Sequence, residues 1–105
     1  MNIYAPFTIK ENVKPLGLRP ELILAILAAS AVYHRHKQKF TITSISDGEH
    51  GAKSKHLIGS AVDIRTRDLT SDMLDIMVKE IRDALTNDYD VIPEKTHLHI
   101  EWDPK

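Results

Sequence analysis

Two histidine-bearing segments, far apart in the chain, most constrain what this sequence can fold into. The first, residues 54–63, contains His56 and ends in Asp63, and the second carries His97 and His99 on either side of a leucine. A catalytic zinc ion is usually held by three protein ligands drawn from His, Asp, Glu and Cys, with a fourth position open to water or substrate. His56, Asp63 and one of His97 or His99 would supply these three ligands. The fold must then bring the two segments together.

The local sequence predicts that the two segments end on strands. Asp63 follows His56 by seven positions, and Gly59 between them gives the backbone the freedom to bring a loop back onto a strand. Apolar residues around Asp63 favour a largely buried strand over residues 60–65 that carries this carboxylate on one face. The two histidines of the second segment are two residues apart, so a strand points both to the same face. If the two strands are adjacent, they close a site around one ion.

Composition predicts one small domain without disulfide bonds. The chain has 105 residues, of which 42% are hydrophobic and 28% charged, and this length allows one modest core, so we treat 1–105 as a single domain. It contains no cysteine, which leaves histidine and carboxylate as metal ligands. The formal net charge of −1 gives no electrostatic reason to expect a nucleic acid or membrane partner. Residues 1–10 lack the basic and apolar regions of a signal peptide, so none is predicted.

The order of predicted elements is that of an α+β domain. Prolines and a glycine in residues 1–18 predict an irregular lead-in. A first helix is predicted from Arg19 and Pro20 to about Lys37, and we interpret it as a central buried helix because its apolar run is too short to cross a bilayer. A second helix is predicted to begin after Thr70, a favourable N-cap. Strands are predicted over residues 40–45, 60–65, 89–92 and 97–102. We therefore expect a small, mainly antiparallel sheet packed against two main helices, with the zinc site on its exposed face.

The motifs resemble a known family. The pattern SxHxxGxAxD that ends at Asp63, followed by HxH, is similar to that of the superfamily of zinc D-Ala-D-Ala carboxypeptidases, lysostaphin-type peptidases and the hedgehog signalling domain. Within this superfamily, the resemblance is greatest to the small phage and bacterial peptidoglycan peptidases. Residues 42–50 are similar to the segment before the first zinc ligand in hedgehog-like members, so the resemblance covers roughly the last two thirds of the chain. It implies that His56, Asp63 and His99 bind one zinc ion.

The resemblance also implies roles for neighbouring residues. His97 would hydrogen-bond the substrate oxyanion or the water, and Glu94 would act as the general base. Dipeptidase-like members use an ExxH arrangement, which would instead make His97 the ligand. Where many carboxypeptidase members carry a substrate-binding arginine, this chain has Ser46 or Asp47.

The missing arginine changes which residues we expect to bind substrate. His50, Ser54 and Arg65 are the candidate substrate-binding residues, with Lys55 and Arg67 as further cations for a carboxylate. Asp47, Glu49 and Asp68 could supply oxygen to calcium, but we interpret them as solvated loop acids. His34 and His36 lie in a basic stretch at the predicted end of the first helix, where positive charge suits the helix dipole, and we expect no catalytic role for them.

The expected function is that of a zinc peptidase that hydrolyses an amide bond in peptidoglycan stem peptides, as a carboxypeptidase or an endopeptidase. Zinc lowers the pKa of a bound water to about 7 and polarises a carbonyl, and a carboxylate such as Glu94 can take the proton of that water. The alternative is a non-catalytic zinc-containing binding module, as the hedgehog domain is, or a purely structural ion. We expect a monomer that is made in the cytoplasm and acts on the cell wall after release, as in phage lysis.

Overall fold

The structure, a computed structural model, describes residues 8–11, 19–45 and 60–104. Within these ranges the chain forms two helices, α1 (Pro20–Arg35) and α2 (Ser71–Ala84). It also forms five strands, β1 (Thr8–Ile9), β2 (Thr41–Ile45), β3 (Ala61–Arg65), β4 (Tyr89–Pro93) and β5 (His97–Trp102). The strands make one sheet in the order β1-β2-β3-β5-β4, in which β1 is parallel to β2 and every other neighbouring pair is antiparallel. The predicted α+β class, with two helices and a mainly antiparallel sheet, is therefore confirmed.

Helix α1 begins and ends where local chemistry favours a boundary. Pro20 stands at the first helical position, where its missing N–H costs no hydrogen bond. At the other end Lys37 has a positive φ of 59°, and its N–H donates to the carbonyl of His34 at 2.9 Å. The N–H of Gln38 donates to the carbonyl of Tyr33 at 2.8 Å. These two bonds form a Schellman motif, which terminates the helix slightly before its predicted end.

Helix α2 is capped as the sequence predicts. The hydroxyl oxygen of Thr70 accepts a hydrogen bond from the N–H of Met73 at 3.1 Å, which pairs one of the free N–H groups of the first turn. The helix buries Met77, Val78 and Ile81, whose three- and four-residue spacing places them on one apolar face. Packing of this face, added to the cap, holds the helix on the sheet.

Both helices contribute to one core on one face of the sheet. Buried apolar residues alternate with polar ones from Val62 to Arg65 in β3 and from His97 to Glu101 in β5, so Val62, Ile64, Leu98 and Ile100 point toward the helices. The core consists of Leu22, Ala25, Ile26, Ala29, Val32, Tyr33, Phe40, Ile42, Val62, Ile64, Met77, Val78, Ile81, Val91, Leu98 and Ile100. Because alternate residues of a strand face opposite ways, the opposite face of the sheet carries the polar residues.

Part of α1 is exposed, and our interpretation of it as a central buried helix is wrong in this respect. Leu22 and Ile26 are buried, but Ile23, Leu24 and Leu27 expose 43%, 61% and 48% of their surface. The physical reason is that the described residues supply a single layer of helices, which leaves the outer face of α1 uncovered. Neither described helix is long and apolar enough to span a bilayer.

The strands at one side of the sheet differ from the predicted pattern. Strand β1 lies in the predicted irregular lead-in and pairs with β2. In β2 the register shifts between Ile42 and Ser44, which leaves Thr43 as the extra residue of a β-bulge. As a result Ser44, rather than Thr43, lies opposite Asp63. The hydroxyl of Thr43 donates to the carbonyl of Asp63 at 3.3 Å.

Polar side chains join the helices to the sheet and to each other. The buried hydroxyl of Tyr33 in α1 donates to the carbonyl of Arg65, the last residue of β3, at 3.1 Å, and burial raises the pKa of this phenol. The guanidinium of Arg82 in α2 donates to the carbonyl of Val91 in β4 at 3.1 and 2.6 Å. Both acceptors are strand carbonyls, so these bonds set the position of each helix along the sheet.

The basic end of α1 contacts α2. Nε2 of His36 lies 2.9 Å from Oε1 of Glu80, and Nη2 of Arg35 lies 3.0 Å from the same oxygen. Hydrogen bonds from His36 and then Arg35 lower the pKa of the Glu80 carboxyl. His36 therefore connects α1 to α2, on the same side of the sheet as the core.

We expect Tyr33→Phe to destabilise the protein by about 1 kcal/mol, because the carbonyl of Arg65 loses its donor while the apolar packing of the ring is kept. Urea unfolding followed by circular dichroism measures the change in the free energy of unfolding. Tyr89→Phe is a matched control, since its hydroxyl donates to the carbonyl of Glu21 at 2.7 Å from a less buried position. An unchanged midpoint for Tyr33→Phe would contradict this role of the hydroxyl.

Candidate functional site

Asp63 and His99 face each other across two neighbouring strands. They are direct partners in the pairing of β3 with β5, and Oδ1 of Asp63 lies 2.8 Å from Nδ1 of His99. Their side chains are 25% and 28% exposed, so both are shielded but reachable from solvent. Two of the three ligands that the sequence predicts are therefore in contact.

The strand register explains why these polar side chains meet. Pairs in β3 and β5 run from Ala61 opposite Glu101 to Arg65 opposite His97, and paired residues of an antiparallel sheet point to the same face. Apart from Ala61, every second position of these two strands therefore brings a polar side chain to the face away from the helices. This polar face carries Asp63, Arg65, His97, His99 and Glu101.

His97 lies beside the Asp63 and His99 pair. Its Nε2 is 3.7 Å from Oδ2 of Asp63, the carboxylate oxygen that does not contact His99. Its Nδ1 is 3.2 Å from the hydroxyl of Thr96. The carboxylate of Asp63 thus has the ring of His99 at one oxygen and that of His97 near the other.

Glu94 reaches the same face through the tight turn between β4 and β5. Its N–H donates to the carbonyl of His97 at 2.7 Å, and Pro93 pairs with Leu98 one step further along the hairpin. This register puts Glu94 opposite His97, on the polar face, with its side chain exposed. The predicted base and the predicted oxyanion donor are therefore cross-strand neighbours.

Two neighbours of His99 on this face were not predicted from the sequence. Nε2 of His99 lies 3.1 Å from Oε1 of Glu101, and Ile92 in β4, which is 43% exposed, pairs directly with His99. The period of two along β5 contains the signal for Glu101, which follows His97 and His99 at the same spacing. Ile92 has no comparable signal because its neighbour in space comes from another strand.

The charges around His99 favour a cation at this point of the sheet. The hydrogen bond with Asp63 raises the pKa of His99 to about 9, with a smaller contribution from Glu101, while partial burial acts in the opposite direction. In the metal-free chain at neutral pH the ring is therefore protonated and donates to both carboxylates. Two carboxylates share one positive charge.

The donor set suits zinc. A carboxylate oxygen and an imidazole nitrogen in contact are ligands that zinc accepts, and the position already holds a positive charge. Among the described residues no group of three His, Asp or Glu side chains is arranged to hold a metal ion. The predicted third ligand, His56, lies outside the described residues, so the described part of the chain brings together two of the three predicted ligands.

The other predicted residues are divided between described and undescribed parts of the chain. Arg65 is half-buried on the polar face opposite His97, whereas Arg67 and Asp68 are exposed in the turn after β3. The predicted substrate-binding residues His50 and Ser54 lie outside the described residues. The same holds for Ser46, Asp47, Glu49 and Lys55.

Comparison with known proteins identifies no family. No protein-family model matches the chain, and no curated protein or solved structure matches it. The resemblance to zinc peptidases therefore depends on the motifs alone.

We expect His99 to titrate near pH 9 in the metal-free protein, and Asp63→Asn to lower this pKa toward the ordinary value of 6.5 because its largest cause is removed. The folded state holds the proton more tightly than the unfolded chain. The resulting stabilisation is complete below about pH 6.5 and is lost as the pH rises through about 9.

Heteronuclear NMR of the imidazole rings, recorded with a chelator present, measures this titration directly. Thermal unfolding over the neutral to alkaline range measures its effect on stability. Asp75→Asn, which removes an exposed carboxylate of α2, is the control. A wild-type His99 that titrates at its ordinary value would show that the contacts with Asp63 and Glu101 do not persist in solution.

Proposed function

We propose that this protein is a zinc-dependent peptidase that hydrolyses an amide bond in the peptide stems of peptidoglycan. The observation that carries the proposal is the contact between Asp63 and His99 across β3 and β5. The metal is supported by the donor pair of Asp63 and His99. The hydrolysis is supported by the carboxylate of Glu94 on the same face of the sheet. The substrate class is supported by the resemblance of the motifs to peptidoglycan peptidases.

His56, Asp63 and His99 are the residues that would hold the zinc ion. When bound, zinc lowers the pKa of water and polarises the carbonyl of the substrate. Asp63 adds negative charge that retains the cation, and the histidines must be neutral to bind it. Activity is therefore expected to fall in acid.

Glu94 and His97 would carry out the proton transfer and the charge stabilisation. The exposed carboxylate of Glu94 accepts the proton of the attacking water and delivers it to the leaving amine. His97, its neighbour across the hairpin, donates a hydrogen bond to the oxyanion that forms at the substrate carbonyl. The position of both residues on the polar face supports these roles, with His97 beside Asp63 and Glu94 opposite His97.

Residues around this centre supply contacts for a peptide. Arg65 lies opposite His97 and would pair with a substrate carboxylate, since a guanidinium binds a carboxylate with two parallel hydrogen bonds. Ile92 exposes an apolar side chain beside His99 and would contact a small apolar residue such as alanine. His50 and Ser54 remain proposed substrate-binding residues from the sequence. Both carboxypeptidase and endopeptidase action are compatible with these contacts.

The proposal includes the setting in which the enzyme works. We propose a monomer that acts on the cell wall after release from the cytoplasm, as in phage lysis. This part is supported by the motif resemblance. One zinc ion is the cofactor, and the partner is a peptidoglycan peptide.

We expect Glu94→Gln to lower turnover of peptidoglycan peptides by about 100-fold or more, the usual contribution of a general base, while one equivalent of zinc stays bound. Mass spectrometry of purified peptidoglycan and free stem peptides after incubation measures the products and names the bond. Glu11→Gln is the matched control, because Glu11 is an exposed carboxylate next to β1 at the opposite edge of the sheet.

The outcomes of this experiment separate two classes of protein. A mass change made by wild type and by Glu11→Gln, but not by Glu94→Gln, supports the peptidase. If zinc binds and no substrate changes mass, the protein is a zinc-containing binding module instead. Equal turnover by Glu94→Gln and wild type would remove Glu94 from the mechanism.

We expect Asp63→Asn to weaken zinc binding by more than the roughly 10- to 100-fold that is typical of losing an outer partner of a ligand, because an anionic ligand is lost. Competition with a chromophoric chelator at neutral pH measures the zinc dissociation constant. Asp75→Asn should bind zinc like the wild type. Zinc affinity that is insensitive to Asp63→Asn would place the metal elsewhere in the molecule.

A further inference from the structure

We propose that Glu101 is a positioning residue of the metal site: it accepts the Nε2–H of His99 and so assigns Nδ1 of the same ring to the zinc ion. This inference rests on the proposed zinc site and adds to it a residue outside the predicted ligand set. It also specifies which nitrogen of His99 binds the metal.

The ring of His99 lies between two carboxylates at its two nitrogens. Nδ1 is 2.8 Å from Oδ1 of Asp63, and Nε2 is 3.1 Å from Oε1 of Glu101. A neutral imidazole has one N–H and one lone pair, so only one nitrogen can bind a metal while the other donates. Because each nitrogen contacts a carboxylate, the other polar groups around the ring decide which nitrogen is left for the metal.

The remaining polar groups identify Nδ1 as the metal-binding nitrogen. Asp63 lies on the Nδ1 side of the ring, and His97 is on the same side, with its Nε2 3.7 Å from Oδ2 of Asp63. An oxygen and a nitrogen that bind one zinc ion at about 2.0–2.2 Å each must be close to one another, as Oδ1 of Asp63 and Nδ1 of His99 are. On the Nε2 side the contact is with Glu101.

Strand geometry makes this contact a built-in feature of β5. His99 and Glu101 are two residues apart on one strand, so both side chains point to the polar face. The Glu101 side chain is 21% exposed, which limits competition from water for the hydrogen bond. A carboxylate that accepts the free N–H of a metal-bound histidine fixes the ring orientation and makes the ligand more basic.

Zinc affinity and the protonated nitrogen of His99 together test the proposal. The zinc dissociation constant is measured by chelator competition for wild type, Glu101→Gln, Glu101→Ala and the control Asp75→Asn. Heteronuclear NMR of the imidazole ring in the zinc-loaded proteins reports which nitrogen carries the proton. Thermal unfolding of each metal-free variant shows that it is folded.

We expect Glu101→Ala to weaken zinc binding by about 10- to 100-fold and Asp75→Asn to leave it unchanged. Glu101→Gln keeps an oxygen that accepts the N–H but lacks the charge, so its loss should be smaller and its Nε2 should stay protonated. In wild type we expect the proton on Nε2 and zinc on Nδ1. A zinc affinity that falls from wild type to Glu101→Gln to Glu101→Ala, in variants that remain folded, distinguishes a positioning role from a general loss of stability.

Three results would overturn the inference. Wild-type zinc affinity in both Glu101 variants would do so, as would zinc on Nε2 of His99. Absence of zinc binding by wild type would overturn this inference and the proposed function together. If zinc binding depends on Asp63 but not on Glu101, the positioning role fails and the proposed zinc site stands. If zinc binding depends on both Asp63 and Glu101 and no peptide is cut, the positioning role is supported and the proposed peptidase activity is not.

Discussion

The antiparallel pairing of β3 with β5 is the interaction on which the rest of the structure depends. Its five residue pairs, from Ala61 with Glu101 to Arg65 with His97, turn one set of alternate side chains to the helices and the other set to solvent. A shift of one residue in this pairing would exchange the two sets for one strand. Burial of Val62, Ile64 and the apolar residues of β5 opposes such a shift, so the core holds the polar face in register.

The polar face in turn brings two carboxylates to one imidazole ring. Asp63 and Glu101 both contact the ring of His99, and two carboxylates on one ring favour a positive charge between them. In the metal-free protein the proton on His99 supplies it. A metal ion would supply more charge at the same place, and its binding would then release that proton. The same electrostatic demand is therefore met by either cation.

Much of the fold could be predicted from the sequence because its signals are local. The proline at the start of α1, the Thr70 cap of α2 and the alternation along β5 each depend on a few consecutive residues. The errors concern contacts between distant residues. The exposure of Leu24 depends on how many layers cover α1, and the bulge at Thr43 depends on the strand beside it. Glu101 had a local signal, the period of two along β5. Its contact with Nε2 of His99 depends on how that ring is oriented in the folded protein.

The sequence by itself determined which residue types could bind a metal, the helices and strands that carry them, and the resemblance to zinc peptidases. Only the tertiary structure decided that Asp63 lies directly opposite His99, that Glu94 faces His97, and that Ile92 and Glu101 complete the same face. The physical reason is that spacing along a strand selects a face, whereas the partner of each residue depends on the register between strands. That register is set by burial of the apolar side chains on the opposite face of the sheet.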